Sequence, residues 1–170
     1  SCDFHWPQFE SQKLNHILEE PLGAMTQNHC AFCDGSFTES LRTIEHFKPK
    51  KSFPAEAFAW ENLFPACDRC QGTKLESFDE RLLKPDAEGY AFEDYFICDA
   101  DSGQVLPNPA ASEDDKARAE TTILMYGLAR KERCEARRKE WRGFVARRKC
   151  GEDVALDDFN YRFFLEACGD

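Results

Sequence analysis

The chain has 170 residues, 42% of them apolar, and a formal net charge of −10. That length and composition suit one compact core with appended elements, and the acidic balance argues against tight unaided binding of a polyanion, which relies on Lys and Arg to neutralise phosphates. The longest apolar runs, YGLA and FFL, are far too short to span a membrane, and with no signal-peptide or lipidation pattern the expected location is the cytoplasm.

The first periodic stretch is SQKLNHILEE, residues 11–20, where Leu14, Ile17 and Leu18 fall on one helical face and Pro21 is expected to end the run. Next come Cys30 and Cys33 in CAFC and, after 33 intervening residues, Cys67 and Cys70 in CDRC. Each CxxC turn can wrap one edge of a tetrahedral ion, so the four thiolates read as a structural zinc site. A disulfide framework is the competing reading, but it fits a short secreted chain better. A closed site of four cysteines has no open coordination position, so this metal is expected to brace the chain, and chemistry is to be sought between the two cysteine pairs. Cys2, Cys98, Cys134, Cys150 and Cys168 remain as an odd set, read as free thiols in small buried positions.

Between the pairs, CDGSF is a turn and SLRTIEHF a short strand; Lys48 to Pro54 is a basic loop, FAWENLFPAC returns with Trp60 expected in the core, and Asp68 to about Leu75 starts a helix. Glu45 and His46 stand side by side at the end of the strand. With a nearby amide and the loop lysines they are the parts that phosphodiester hydrolysis needs: a neutral imidazole to take a proton from water, hard oxygens for a divalent cation, and cations for the backbone. A lone histidine there is commonly a hydrogen-bonded structural residue; the adjacent acid, Asn62 and the cysteine clip favour catalysis. Strand alternation sends Glu45 and His46 to opposite faces, so such a site requires the strand to bend or end there, as Pro49 permits.

Farther on, YAFEDYFICDADSGQVLPN reads as a hairpin turning at Asp101 to Gly103, Ser112 to Asp115 caps a helix running to about Met125, and Gly127 is placed to stop it. From Arg130 to Lys149 there are ten basic and three acidic residues, a local excess of +7 that leaves −17 on the other 150. By itself that segment reads as a solvated helix face with glutamates at pairing distance. Cys134, Trp141 and Val145 lie near one side of it, and FNYRFFLEA is expected to dock as a terminal helix.

CAFC, IEHFKPK, WENL and CDRCQGTK together resemble the HNH endonuclease pattern, in which a four-cysteine zinc clip braces a ββα-metal motif; the resemblance covers residues 30–75. More narrowly, IEHFKPK, WENLFPACDRC, LLKPD and TTILMYGLARKERCEARRKE are similar to the PtuB family of HNH nuclease subunits in Septu-type and retron-linked anti-phage defence systems. There the nuclease works beside an ABC/SMC-like ATPase. The resemblance implies an α+β fold with a ββα-metal HNH core, additional helices and a small hairpin, divided into a helical leader (1–29), a zinc-braced core (30–83) and a hairpin with C-terminal helices (84–170).

Residue by residue, the resemblance makes His46 the general base and Glu45 the adjacent ligand of a catalytic Mg²⁺ or Mn²⁺. Asn62 matches the asparagine whose side chain ties down the loop carrying the base. Gln71 stands where the pattern usually has an Asn or His ligand, and its extra methylene moves the amide oxygen outward. Lys74 matches the basic residue three positions on and joins Lys48, Lys50 and Lys51 as expected nucleic-acid contacts, while Leu75 stands where Gly is common. The implied activity is cleavage of DNA as effector of a defence complex with the ATPase, against which Leu128 to Lys149 would dock through Trp141, Phe144 and the arginines. For Trp141, packing into the protein's own core is the equal alternative. Two other functions stay open: a zinc-knuckle binding module whose nuclease centre has decayed at Gln71, and an RNase, including a tRNA-cleaving one.

Overall fold

A computed structural model describes residues 5–169 as a mixed α+β fold assembled from small antiparallel hairpins and short helices. Cys2, counted above among the free thiols, lies outside the described residues.

A two-residue-stranded hairpin, β1 (Gln8–Phe9) and β2 (Gln12–Lys13), leads directly into α1 (Leu14–Met25). The expected stop at Pro21 does not occur. Proline removes one backbone hydrogen bond from a helix interior, but Pro21 itself is exposed and the turn after it buries Leu22 completely. That turn also brings Gly23 so near the next strand that a Cβ would meet Arg42 Nη1 at 2.6 Å. Tertiary packing here outweighs the local breaker.

Strands β3 (Arg42–His46) and β4 (Leu63–Cys67) pair antiparallel, with Glu45 opposite Phe64 and His46 opposite Leu63. Helix α2 (Asp68–Lys74) follows β4 without a break; its N-cap is Cys67, whose Sγ accepts from Cys70 N at 3.4 Å, and Asp68 places negative charge at the positive end of the helix. Leu75 ends it with φ 52°, a left-handed conformation that explains why glycine suits this position. Trp60, expected in the core, is 43% exposed. It begins a 3₁₀ turn, Trp60–Asn62, that turns Asn62 inward instead.

In the C-terminal half, β5 (Phe96–Asp99) and β6 (Gln104–Pro107) form the expected hairpin, closed at Gly103 with φ 75°. The residues before β5, expected as strand, form a single helical turn, α3 (Phe92–Tyr95), which brings the Phe92 and Phe96 rings to 5.0 Å. Helix α4 (Glu113–Met125) is capped by Ser112 Oγ accepting from Asp115 N at 3.1 Å, and Gly127 follows it at φ 62°. The basic helix α5 (Lys131–Lys149) and the terminal α6 (Arg162–Gly169) complete the chain.

Two clusters of buried side chains result. The first gathers the clip cysteines with Phe47, Phe64, Leu82, Tyr126 and Leu128; the second is built from Leu83, Phe96, Val105, Ala119, Phe144, Phe159, Phe164 and Leu165, and Ile123 packs against both. The docking role expected for α5 needs correction here. Phe144 is buried at 5.2 Å from Phe159, and Arg133 and Arg137 are buried as well, so the expected anchors serve the protein's own interior. Trp141 is half-buried beside Phe144. The inward stripe of α5 is Arg133, Cys134, Arg137 and Phe144, a face half made of arginine, which hydrophobic periodicity alone does not reveal.

Candidate metal centre and strand-end site

The first CxxC pair sits in a tight knuckle. Cys30 N donates to Gly35 O at 2.9 Å, Asp34 N donates to Cys30 O at 2.9 Å, and Asp34 turns the chain with φ 57°. The second pair straddles the β4–α2 junction. The four Sγ atoms lie within 4.8 Å of one another, and Cys33 and Cys67 approach to 3.7 Å. A tetrahedral zinc with Zn–S near 2.3 Å has S···S edges of about 3.8 Å, so the cage has the size and donor set of such an ion. Burial pushes the Cys30 and Cys70 thiols up, while hydrogen bonding from Cys30 above all pulls Cys33 and Cys67 down. Four thiols this close cannot all ionise against one another; a divalent cation among them removes that repulsion and deprotonates the set.

The knuckle is clasped by the chain's far end. Arg162 Nη2 donates to Asp34 Oδ1 at 2.7 Å, Tyr161 N to Asp34 O at 2.7 Å, and Ser36 N to Asn160 Oδ1 at 2.7 Å. The His29 ring, through Nε2, bonds Phe159 O at 3.0 Å. None of these partners was legible before the fold, because they are separated from the knuckle by more than a hundred residues.

The expected strand-end residues come together around β3. His46, the last residue of the strand, is 7% exposed, and its Nε2 lies 3.0 Å from Ala57 O. A carbonyl only accepts, so Nε2 carries the proton and Nδ1 is the acceptor nitrogen of a neutral ring. Burial, assisted by Lys50, pulls its pKa down to about 4, which keeps it neutral at physiological pH. The Trp6 ring lies 5.6 Å from the imidazole and 5.9 Å from Phe58. Asn62 closes the loop between the strands: its Oδ1 accepts from Lys48 N at 2.7 Å, and its Nδ2 donates to Lys48 O at 3.0 Å and Glu56 O at 3.1 Å. That loop carries Ala57, so Asn62 positions the carbonyl that fixes the His46 ring.

Glu45 faces α2. Lys74 Nζ donates to Glu45 Oε1 at 2.6 Å and to His46 O at 2.9 Å, and both side chains of the ion pair are buried. Burial pushes the Glu45 carboxyl up to about 7, against the opposing pull of Lys74. Lys74 therefore stands inside, bound to the carboxylate, and not at the surface where a nucleic acid would meet it. Gln71 Nε2 donates to Ile44 O at 2.8 Å, a bond that orients the amide on the β3 edge. Of the loop lysines, Lys48 pairs with Glu56 at 3.1 Å and lies over the Phe53 ring, Lys50 is half-buried and Lys51 is exposed.

Glu45 and Gln71 supply a carboxylate and an amide oxygen, the donor types that Mg²⁺ and Mn²⁺ take. In kind they fit such a cation, with Lys74 as the competitor that already neutralises the carboxylate. Among the described residues, the four cysteines are the cluster of three or more potential ligands.

No protein-family model matches the chain. It is similar to a Septu protein PtuB of Bacillus thuringiensis, 35% identical over 65 residues, which are 36% of this chain and 25% of that protein. A Septu protein PtuB of Bacillus mycoides (strain KBAB4) is 23% identical over 163 residues, 80% of this chain and 53% of that protein. The chain thus spans about half or less of the length of these curated relatives, to which it bears a weak homology carried alongside the four-cysteine cluster.

Proposed function

We propose that the chain is an HNH endonuclease that hydrolyses DNA phosphodiester bonds as the effector of an anti-phage defence complex with an ABC/SMC-like ATPase. The observation that carries the reading is the state of His46. Its ring is held neutral at the end of β3 with its proton on Nε2 toward the Ala57 carbonyl, the protonation state a general base starts from. The surrounding hairpin and helix, with one cysteine pair ahead of β3 and the other at the β4–α2 junction, support a ββα-metal reading, and the similarity to Septu PtuB proteins supports the defence context.

In this reading Asn62 is a positioning residue, holding the loop whose carbonyl orients the base. Glu45 and Gln71 are the residues that would hold Mg²⁺ or Mn²⁺, whose chemistry is to neutralise charge developing on the phosphate. The hydrogen bond from Gln71 to Ile44 restrains the rotamer freedom that the longer side chain brings. Lys48, Lys50 and Lys51 line the loop beside His46 as phosphate contacts. With a net charge of −10 the chain needs a partner to hold its substrate, and the exposed cations of α5, among them Lys139, Arg142 and Lys149, are the part of the basic segment left to meet one.

One observation favours a second reading, a zinc-braced binding module with a decayed centre. The buried pair of Glu45 with Lys74 fills the place where a cation would bind. Cleavage assays with DNA and RNA, Mg²⁺ or Mn²⁺, and an ABC/SMC-like ATPase decide between the two. We expect nicking of DNA that His46→Ala abolishes, with fold, zinc content and partner binding unchanged. Wild-type nicking in that variant would place the base elsewhere, whereas DNA retention without nicking by the unaltered protein would support the binding module.

A further inference from the structure

A zinc ion with four thiolates carries a net charge of −2, and here it would sit among side chains almost without solvent: Cys30, Cys67 and Cys70 are 2%, 3% and 0% exposed. Burying such a charge is costly unless positive or N–H groups face it. The clip's own backbone supplies one donor, Cys70 N to Cys67 Sγ. Charge compensation must come from elsewhere in the fold.

It comes from α5. Arg133 is 4% exposed, and its Nη2 lies 3.2 Å from Cys70 Sγ and 4.0 Å from Cys67 Sγ. Among the described residues no carboxylate within ion-pair distance competes for it. A buried guanidinium without an acid needs an anion as much as the thiolates need a cation. The neighbouring turns make the placement rigid: Leu128 is buried in the cluster that holds the cysteines, Arg133 N donates to Arg130 O at 3.0 Å, and one turn later Arg137 is fixed through Nη1 on Gly103 O at 2.6 Å and through Nη2 on Leu128 O.

We infer that Arg133 is the counter-cation of the four-thiolate zinc centre, a residue outside the cysteine motif that sets how tightly the metal is retained and locks the basic helix onto the clip. The inference rests on the reading of the cysteines as a zinc site. Groups that hydrogen-bond metal ligands commonly alter metal affinity by about 10–100-fold when removed, and the guanidinium adds a full charge to that effect.

Zinc transfer from the full chain to a chelating dye at fixed pH tests it, together with the sulfur-to-metal charge-transfer band of the Co²⁺-substituted protein. Arg133→Met is expected to release zinc about tenfold faster or more and to move the Co²⁺ band to longer wavelength, because thiolates stripped of their donor are easier to oxidise. If that variant does not fold, Arg133→Lys and Arg133→Gln decide: charge is the essential property, so Lys retains zinc longer than Gln. Equal release rates in Lys and Gln variants, or wild-type release and an unmoved band in Arg133→Met, overturn the role of Arg133 while leaving the zinc site intact. A wild-type chain purified without zinc and unable to take it up would overturn both.

Discussion

The two buried clusters are stabilised by different chemistry. The first packs Phe47, Phe64, Tyr126 and Leu128 around the clip thiols, and beside it are buried Glu45, His46, Asn62, Lys74 and Arg133, whose contacts depend on a charge or hydrogen bond being matched. The second is a stack of aliphatic and aromatic side chains, such as Phe144 on Phe159 and Phe92 on Phe96 at 5.0 Å, that depends on area and shape. A polar interior of the first kind is intolerant of single losses, because each deletion strands a partner in low dielectric. An apolar interior gives way gradually. Chemistry needs the former, and the second cluster, with its ties from Asp34 to Arg162 and from Thr122 to Leu83 N, gives it support.

Metal loss should expose the contrast most. Removal of a structural zinc forfeits on the order of 10 kcal/mol of binding free energy that small metal sites use for folding. Cys67→Ser is therefore expected to erase hydrogen-exchange protection in β3, β4 and α2 while β5, β6 and α4 keep theirs. Equal loss throughout would show that the aromatic cluster has no stability of its own, and a zinc content below one per folded wild-type chain would remove the metal from the account.

The buried ion pair comes next. Lys74→Met leaves Glu45 in the interior without its ammonium, a loss of about 3–5 kcal/mol by analogy with other broken buried pairs. Replacing both, Glu45→Leu with Lys74→Met, should recover most of that, since the desolvation cost leaves with the charges. Denaturant unfolding of the two single variants and the double variant measures the coupling. Additive losses would mean that the 2.6 Å contact contributes nothing between them.

How far the sequence could be read follows the same divide. Cysteine spacing placed the clip, and the runs SLRTIEHF and FAWENLFPAC with a helix start at Asp68 placed β3, β4 and α2, because metal ligands and hairpins constrain residue identity at fixed intervals. The caps were visible too: Ser112 opens α4 and Gly127 follows its end, as a side-chain acceptor and a positive φ require. Illegible were the partners chosen by tertiary packing. Arg133 and Arg137 belong to a run of cations that reads as solvated, and only the fold reveals thiolates and carbonyls waiting for them. Pro21 reads as a stop because the burial of Leu22 is not local information, and Lys74 reads as a phosphate contact because its tie to Glu45 spans two elements.

The smallest expected effect concerns pH, and it separates two neighbours within the polar cluster. His46 titrates near 4 in the folded chain against an ordinary 6.5, because burial disfavours its cation. As pH falls below 6.5 the unfolded chain takes up this proton first, so His46 destabilises the fold progressively toward 4. Glu45 has the opposite sign. Its carboxyl is raised to about 7 from an ordinary 4.5, so the folded chain holds that proton longer, and stability is lost as pH rises through this interval. Between about pH 4.5 and 6.5 the two slopes oppose each other, and the wild type should show little net dependence from this pair. His46→Gln leaves the Glu45 slope, giving stability that falls with rising pH; Glu45→Gln, whose amide oxygen still accepts from Lys74, leaves the His46 slope, giving stability that rises. Each slope should amount to on the order of 1–2 kcal/mol across the interval, read from urea midpoints at saturating zinc. Parallel pH profiles in both variants would show that neither group is buried in the charge state described, and the His46 ring would lose its claim to be neutral by virtue of its position.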